Sequence, residues 1–266
     1  MTERRLALIT GASSGIGAAF AEAYAARGVD LVLVARRVER LEAIAWKLAS
    51  EHGVLAHILA IDLAEPAAAS TIAAELKARG LSPDILVNNA GFSIAHTFLA
   101  TPWEQQRDFI QVQVTTAAEL CHRLMPAMVE RRWGRVVNIA SVVAFSPGAK
   151  GHTLYPAAKS FLVKMSRSLA TEVKAQGVHV TAVCPGQTES EFADANGTRT
   201  LVSRGGFMTQ KAEDVAAAGI RASEAGREVI VTGLHNKIAA VAMRLLPESL
   251  TAAIIRPQAA KFALPD

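Results

Sequence analysis

Tyr155 and Lys159 are four residues apart in the segment Tyr-Pro-Ala-Ala-Lys, a spacing that places both side chains on one face of a helix. A cation beside a phenol favours the phenolate and lowers the phenol pKa from about 10 toward neutrality. Such a tyrosine can donate and accept a proton during a reaction. Pro156 fits only in a first helical turn, so we expect Tyr155 near the start of its helix. The same pair occurs by chance on solvated helices, so its meaning depends on the rest of the chain.

A glycine-rich segment near the start of the chain supplies that context. Residues 10–17 read Thr-Gly-Ala-Ser-Ser-Gly-Ile-Gly and lie between an apolar segment at 5–9 and an alanine-rich segment. This pattern predicts a strand, a tight turn and a helix, the arrangement that binds the pyrophosphate of a dinucleotide. We expect Gly11 to permit the turn, Gly15 to let the backbone approach the phosphates and Gly17 to allow close helix packing. The spacing departs from Gly-x-Gly-x-x-Gly, and an ordinary glycine-rich turn is the alternative.

Short apolar segments alternate with helical patterns along the chain. This alternation predicts an α/β fold, a doubly wound Rossmann-type parallel sheet of about seven strands with helices on both faces. The predicted strands are 5–9, 30–35, 54–61, 84–87, 135–139, 178–184 and 228–232. The predicted helices are 18–27, 38–52, 66–79, 102–132 and 152–176, then a C-terminal helical segment at 234–257 that Pro247 divides in two. We expect residues 1–266 to form a single domain.

The candidate site residues follow the ends of the predicted strands. In a doubly wound sheet, ligands bind beyond the carboxyl ends of the strands. The glycine loop follows the first predicted strand, and the next five strands are followed by Arg36, Asp62, Asn88, Ser141 and Pro185. Residues distant in sequence are therefore expected to converge on one edge of the sheet.

These motifs together resemble those of the short-chain dehydrogenase/reductase family, which uses this glycine spacing. The glycine loop, Asn88-Asn89-Ala90-Gly91, Ser141, Tyr155 with Lys159, and Pro185-Gly186 stand in the family's order and approximate spacing. The resemblance implies hydride transfer between a nicotinamide and a substrate carbon, with Tyr155 delivering a proton to the carbonyl oxygen. It also implies that Lys159 lowers the tyrosine pKa and contacts the nicotinamide ribose. Ser141 is expected to donate a hydrogen bond to the same oxygen, and a turn or helix-cap serine is the alternative.

The resemblance also implies a set of cofactor contacts. Asp62 resembles the family's adenine-contacting acid, but it could instead cap the helix near Pro66. Asn88 and Asn89 could instead satisfy backbone groups between strands. The residues expected to bind the cofactor are Gly11, Ser13, Ser14, Gly15, Ile16, Gly17, Arg36, Arg37, Asp62, Leu63, Asn89, Ala90, Gly91, Tyr155, Lys159, Pro185, Gly186 and Thr188.

The end of the second predicted strand indicates which cofactor binds. NAD sites usually carry an acid there for the ribose hydroxyls, whereas this chain has Ala35 followed by Arg36 and Arg37. Two guanidinium groups suit a 2′-phosphate, so the sequence predicts NADP(H) over NAD(H). The alternative is that both are ordinary surface arginines.

Gln113 departs from the family pattern. Family members usually carry an asparagine in the long helix after strand four, whose backbone carbonyl binds a water linked to the lysine. Since any residue offers a backbone carbonyl, we expect Gln113 to serve and Gln113→Asn to leave or raise turnover. The leading hypothesis is thus an NADP(H)-dependent enzyme that interconverts a carbonyl and an alcohol. The alternatives are a nucleotide-binding scaffold or sensor with low turnover, and a sugar-nucleotide epimerase or dehydratase, whose members are typically longer and use another glycine spacing.

The expected substrate is an apolar small-molecule carbonyl or alcohol. The pocket lining is expected from 92–96, 144–152 and 187–208, although the same apolar side chains could belong to the core. We expect 187–210 to act as a substrate lid, or to be merely a flexible loop. The side chains singled out on these segments are Phe145, Phe192, Phe207 and Met208, with His96 and His152 as possible polar contacts.

Composition narrows the other options. The net charge of +4 comes from scattered Lys and Arg residues, so no nucleic-acid site is expected. The two cysteines, Cys121 and Cys184, suggest neither a disulfide framework nor a metal site, and we expect no metal. No apolar run reaches the ~18 residues of a membrane span and no signal-peptide pattern is present, so a cytoplasmic location is expected. The family implies a homodimer or homotetramer. For the C-terminal segment, packing against the domain, a dimer contact and membrane-surface attachment all remain open.

Overall fold

The computed structural model describes residues 4–94, 96–151, 153–189 and 209–259. Seven strands form one parallel sheet in the order β3-β2-β1-β4-β5-β6-β7. The strand order reverses between β1 and β4, which is the position where doubly wound sheets bind their ligands. The strands are β1 (Leu6–Thr10), β2 (Asp30–Ala35), β3 (Ala56–Ala60), β4 (Ile85–Asn88), β5 (Gly134–Ile139), β6 (Val178–Cys184) and β7 (Val229–Val231).

Helices connect the strands and cover both faces of the sheet. The α-helices are α1 (Gly15–Ala25), α2 (Val38–His52), α3 (Ala68–Ala78), α4 (Trp103–Ile110), α5 (Ala117–Glu130), α6 (Leu154–Val173), α7 (Ala212–Glu224), α8 (Leu234–Leu245) and α9 (Glu248–Ala259). A π-helical turn (Gln111–Thr116) joins α4 to α5, and 3₁₀ turns occupy Val142–Phe145 and Lys174–Gln176.

The core follows from the alternation of side chains along each strand. In β1, Ala7 and Ile9 point to a core shared with α1, α2 and α7, whereas Leu6 and Leu8 point to a core shared with α3, α5 and α6. All five residues of β1 are buried, as expected for a central parallel strand. The predicted fold class is confirmed. The prediction of a single domain stays a prediction.

One difference from the predicted elements is in the segment 102–132. The sequence predicts one long helix, whereas the chain forms α4, a π-helical turn and α5. A π turn shifts the backbone hydrogen bonds by one residue, which leaves a bend that side-chain periodicity does not reveal. The predicted helices also omit α7 (Ala212–Glu224), which lies between β6 and β7. Elsewhere the boundaries shift by a few residues; for example, α1 begins at Gly15 and not at residue 18.

The chain divides its C-terminal segment as expected, since α8 ends at Leu245 and α9 begins at Glu248, on either side of Pro247. The predicted lid at 187–210 falls mostly on residues 190–208, which lie outside the described residues. Its described ends meet in an isolated bridge between Thr188 and Gln210.

Candidate active site

The glycine loop closes tightly where β1 leads into α1. Gly11 and Gly15 have φ angles of +64° and +55°, a conformation that residues with a β-carbon rarely adopt. A side chain at Gly17 would collide with the carbonyl of Gly11. Ile16 packs against the core, so the first turn of α1 is anchored. The loop and the exposed N–H groups of the helix start could therefore hold a pyrophosphate.

The loop is tied to the end of β4. The Asn89 side-chain amide donates to the carbonyl of Thr10 at 2.9 Å, and the Thr10 hydroxyl accepts from the backbone N–H groups of Asn89 and Ala90 at 2.9 and 3.0 Å. Asn88 lies deeper, where its amide donates to the Asn138 side chain at 2.9 Å. Both asparagines thus satisfy groups between neighbouring elements, which was the alternative stated from the sequence. Asn89 links β4 to β1 across the switch point, and Asn88 links β4 to β5.

Arg36 and Arg37 stand at the end of β2, beside the glycine loop. Arg37 donates to the hydroxyl oxygens of Ser13 and Ser14 at 3.1 and 3.3 Å. Ser14 makes no side-chain cap to α1, so its hydroxyl is directed to Arg37 instead. Arg36 Nη1 lies 3.7 Å from Asp62 Oδ2 and is 75% exposed. The arrangement places two guanidinium groups where an anion next to the loop could meet them.

Asp62 and Leu63 follow β3 at the same edge. Asp62 accepts a hydrogen bond from the backbone N–H of Ala64 at 3.0 Å and so organises its own turn. The alternative that Asp62 caps the next helix is wrong, because the residue that precedes α3 is Ala67. Leu63 is buried, and its carbonyl accepts from the Thr116 hydroxyl at 3.0 Å.

Tyr155 lies in the first turn of α6, which begins at Leu154. Its ring is half-buried and packs at a tilt against Phe109, with 6.5 Å between the ring centroids. Lys159 Nζ lies 5.5 Å from the centre of the Tyr155 ring, one turn further along the helix. Phe109 was not singled out from the sequence, because a phenylalanine in an amphipathic helix gives no sign of which side chain it will support.

The two titrating groups respond mainly to burial. Burial raises the pKa of Tyr155 to about 12, and a hydrogen bond with Ser141 acts in the opposite direction. Burial lowers the pKa of Lys159 to about 8. The expectation that Lys159 lowers the tyrosine pKa is not met in this arrangement, because the desolvation of the phenol dominates. Tyr155 is therefore a protonated phenol at neutral pH, and Lys159 is close to its titration range.

Ser141 connects β5 to the tyrosine. Its side chain is buried, and its oxygen accepts from the backbone N–H of Val143 at 3.4 Å, so it does cap a 3₁₀ turn. The same hydroxyl also bonds Tyr155. Ser141 therefore both caps the 3₁₀ turn and contacts Tyr155, and the turn holds its hydroxyl next to the phenol.

Gln113 contacts Lys159 through its side chain. The Lys159 ammonium donates to Gln113 Oε1 at 2.8 Å and to the carbonyl of Ile139 at 2.9 Å. The other end of the amide donates to the carbonyl of Phe92 at 2.7 Å. Gln113 is 1% exposed, and a β-carbon at Gly91 would lie 2.6 Å from its Nε2, so Gly91 makes room for it. From the sequence, only the backbone carbonyl of Gln113 was expected to matter. The direct side-chain bond depends on the π-helical turn that carries Gln113.

Pro185, Gly186 and Thr188 follow β6. The carbonyl of Pro185 accepts from the backbone N–H of Val142 at 2.9 Å. A side chain at Gly186 would collide with Asn236, and the Thr188 hydroxyl donates to the Gly186 carbonyl at 3.1 Å.

Gln210 anchors the far end of the same segment. Its Oε1 accepts from the Thr232 hydroxyl at 2.8 Å and from the Asn236 amide at 3.2 Å. Sequence reasoning missed both Gln210 and Asn236, since isolated amides carry no motif.

On the substrate side, Phe92 packs edge-on against Phe109 with 5.5 Å between ring centroids. Phe145 lies in the 3₁₀ turn after Ser141 and is covered by Arg244, whose guanidinium carbon is 4.1 Å from the ring centre. His96 is exposed. The remaining residues predicted for this side, His152, Phe192, Phe207 and Met208, lie outside the described residues.

Two thiols and a surface cluster are the next reactive groups, and one of the thiols, Cys184, lies near Lys159 and Ser141. Cys121 and Cys184 are buried free thiols, and burial raises the pKa of each to about 12. On the surface, Glu22, Glu51 and His52 form a cluster, but the Lys47 ammonium sits 2.9 Å from the Glu22 carboxylate within it. Among the described residues, no helix is both long and apolar enough to span a bilayer.

The chain is similar in sequence and fold to several known proteins. A family model described as short chain dehydrogenase matches residues 5–200. The 3-oxoacyl-(acyl-carrier-protein) reductase FabG of Escherichia coli is 35% identical over 193 residues, which cover 73% of this chain and 77% of that protein. Serine 3-dehydrogenase of Rhizobium radiobacter is 35% identical over 215 residues, 80% of each chain. A short-chain dehydrogenase from Sphingobium yanoikuyae, solved in complex with NADPH, aligns with a TM-score of 0.80 and 32% identity over 92% of this chain and 97% of that one.

The fold and the site thus define a dinucleotide-binding α/β protein with a tyrosine and a lysine at its switch point. The chain belongs to the short-chain dehydrogenase/reductase family. It is accordingly an oxidoreductase.

Proposed function

We propose that this protein is an NADP(H)-dependent oxidoreductase that interconverts a carbonyl and an alcohol. The observation that carries the proposal is the convergence of Ser141, Tyr155 and Lys159 at the end of β5, on the same carboxyl edge of the sheet as the glycine loop after β1. When bound, the nicotinamide supplies or accepts the hydride. The residues of this chain have to hold the dinucleotide, orient the substrate oxygen and move one proton.

Tyr155 is the residue that transfers the proton. Its raised pKa keeps the phenol protonated at neutral pH, so it can donate to the oxygen of a carbonyl as that oxygen gains negative charge. Ser141, held by its turn, bonds the tyrosine hydroxyl and can share the same oxygen. Lys159 adds positive charge below the ring and stabilises the phenolate left after transfer.

The preference for NADP(H) is supported by Arg36 and Arg37. No acid stands at the end of β2, and Arg37 donates hydrogen bonds to Ser13 and Ser14 of the glycine loop. A 2′-phosphate between Arg36 and Arg37 would accept charge-assisted hydrogen bonds from both guanidinium groups. The NADPH complex of the Sphingobium yanoikuyae relative favours the same cofactor.

Gln113 is proposed as a positioning residue for Lys159. Its Oε1 accepts from the ammonium directly, where the family pattern uses a water on a backbone carbonyl. An amide oxygen accepts a hydrogen bond but does not pass a proton on, so Gln113 fixes the lysine without relaying its proton. Because the lysine is held in place, a scaffold or sensor with low turnover is not favoured.

The proposed substrate is an apolar small-molecule carbonyl or alcohol, supported by Phe92, which packs on the Phe109 ring that contacts Tyr155, and by Phe145 in the turn after Ser141. A single domain over residues 1–266, a cytoplasmic location and a homodimer or homotetramer remain proposals from the sequence and the family.

The decisive experiment follows NADPH oxidation across a panel of carbonyl compounds and compares the parent with Tyr155→Phe. Phenylalanine keeps the packing on Phe109 but removes the hydroxyl, so kcat should fall by about 10²–10⁴-fold while NADPH still binds. The chain has only two tyrosines, and Tyr24→Phe in the core is the matched control, expected to keep activity near the parent value. Equal activity of the parent and Tyr155→Phe would overturn the proposal, as would NADPH binding with no turnover of any compound.

A further inference from the structure

Helix α8 exposes an unusual row of apolar side chains. Leu234, Ile238, Val241 and Leu245 are 74%, 64%, 51% and 78% exposed, although each is aliphatic. Their spacings of four, three and four residues put them on one face of the helix. We name these four residues the apolar stripe.

The stripe points away from the protein. The buried residues of α8 are Asn236 and Ala240, which lie on the side of the helix opposite to the stripe. A helix that packs on a domain normally turns its apolar face inward, and α8 does the reverse. Helix α9 also exposes aliphatic side chains, since Leu250 and Ile254 are 47% and 52% exposed and lie one turn apart.

The surroundings of the stripe are positively charged. A groove of about 800 Å³ runs between β7, α7 and α8, and Val241 of the stripe lines it. Helix α8 itself contains Lys237 and Arg244 and no acid. The charged residues that line the groove are Arg167, Arg221, Arg227, Lys237 and Arg244, against a single acid, Asp214.

We propose that the apolar stripe and the basic groove form a surface that docks on an anionic lipid bilayer, with α8 lying in the plane of the interface. A stripe of aliphatic side chains can enter the acyl boundary while adjacent cations meet anionic headgroups. The docking is peripheral, which agrees with the finding that no described helix is suited to span a membrane.

A second copy of this chain fits the surface less well. The six exposed aliphatic side chains of α8 and α9 offer on the order of 400 Å², so the rest of the ~800 Å² that each partner of a stable complex buries would have to come from the charged residues around them. A symmetric contact presents the same patch on both subunits, so the two basic grooves would lie near each other and repel. An anionic surface complements the charge and needs no such area.

The test is flotation of the full chain with vesicles of phosphatidylcholine alone and of equal parts phosphatidylcholine and phosphatidylglycerol. The parent should float with the anionic vesicles and not with the neutral ones, and added salt should weaken the binding. Ile238→Glu should reduce binding at least tenfold, and Lys237→Gln should reduce it by a few fold. Trp46→Glu is the matched control, because Trp46 is a 74% exposed apolar residue on α2, and it should bind as the parent does.

Circular dichroism and NADPH titration establish that each variant is folded, so the result is independent of turnover. Absence of binding by the parent to anionic vesicles, or equal binding by Ile238→Glu, overturns the proposal. Light scattering measures the mass of the parent and of Ile238→Glu in solution, and so tests whether the stripe is a subunit contact. If Ile238→Glu converts an oligomer to a smaller species, the stripe is a subunit contact and the lipid proposal fails.

Discussion

Around β1 to β3, the carboxyl edge of the sheet presents backbone and exposed charge, whereas around β4 to β6 it presents buried polar side chains. In the first half, the glycine loop leaves no room for side chains, and Arg36 is 75% exposed. In the second half, Gln113, Lys159 and Ser141 are 1%, 4% and 7% exposed. The first half is suited to holding a charged ligand and the second to positioning a reacting atom.

This difference has consequences for substitution. An exposed charge contributes little to folding, so its removal acts on the ligand alone. A buried polar group also satisfies its neighbours, so its removal affects both activity and the free energy of unfolding. Four measurements test this contrast.

The largest effect is expected in the exposed half. Arg36→Gln combined with Arg37→Gln removes two charge-assisted partners of a 2′-phosphate, so the Kd for NADPH should rise by about 100-fold, or ~2.7 kcal/mol. The Kd for NADH and the melting temperature should stay near the parent values, because the Arg36–Asp62 pair is largely exposed. Fluorescence titration measures both constants, and Arg27→Gln on the opposite end of α1 is the control. Equal losses for the two cofactors would end the assignment to NADP(H).

A smaller effect is expected in the buried half. Gln113→Ala removes the acceptor for Lys159 and leaves the Phe92 carbonyl without its donor. The kcat should therefore fall roughly tenfold, and the free energy of unfolding should decrease by ~1–3 kcal/mol. Gln106→Ala is a matched control. Gln106 is a buried amide that donates to the carbonyls of Phe98 and Thr101 at 2.8 and 2.9 Å, away from the lysine. It should destabilise the fold to a similar degree with kcat retained.

Gln113→Asn sharpens the same point. The shorter amide cannot span from Lys159 to the Phe92 carbonyl, so an intermediate loss is expected, in contrast to the expectation from the sequence alone. Turnover equal to or above the parent value would show that a backbone carbonyl is sufficient and that the side-chain bond is incidental.

The smallest effect is a pH dependence. Burial lowers the pKa of Lys159 from its ordinary value of 10.5 to about 8, so the ammonium is present below pH 8 and is lost above it. The kcat/KM for reduction should therefore be halved near pH 8 and fall further as pH rises. Gln113→Glu places a carboxylate beside the ammonium, so the fall of kcat/KM should move to higher pH. Gln111→Glu in the same π-helical turn should not move it. A flat profile to pH 9 in the folded parent would contradict the role of the lysine charge.

How far the sequence predicts the molecule differs between its segments. The glycine loop, the strand ends and the C-terminal division at Pro247 follow from residue types with strong local preferences, so they were predictable. The π-helical turn was not, because Phe-Ile-Gln-Val-Gln-Val fits an unbroken amphipathic helix equally well. Gln210 and Asn236 were missed for a related reason, since their role arises only when β6, β7 and α8 meet.

The apolar stripe is a second feature that the sequence predicts only in part. Periodicity identified the segment 234–257 as amphipathic, but it could not tell which face packs on the protein. Only the packing of Asn236 against Gly186 and Gln210 determined that the apolar face of α8 is turned outward.

The sequence by itself determined the alternating strands and helices, the family, and which side chains gather at one edge of the sheet, because hydrophobic period, glycine and proline act locally. The tertiary structure decided the contacts: that burial and not Lys159 governs the tyrosine pKa, that Gln113 reaches the lysine with its side chain, and that α8 exposes its aliphatic residues. Desolvation and hydrogen-bond partners depend on what surrounds a group in space, and neighbours in the chain do not specify that environment.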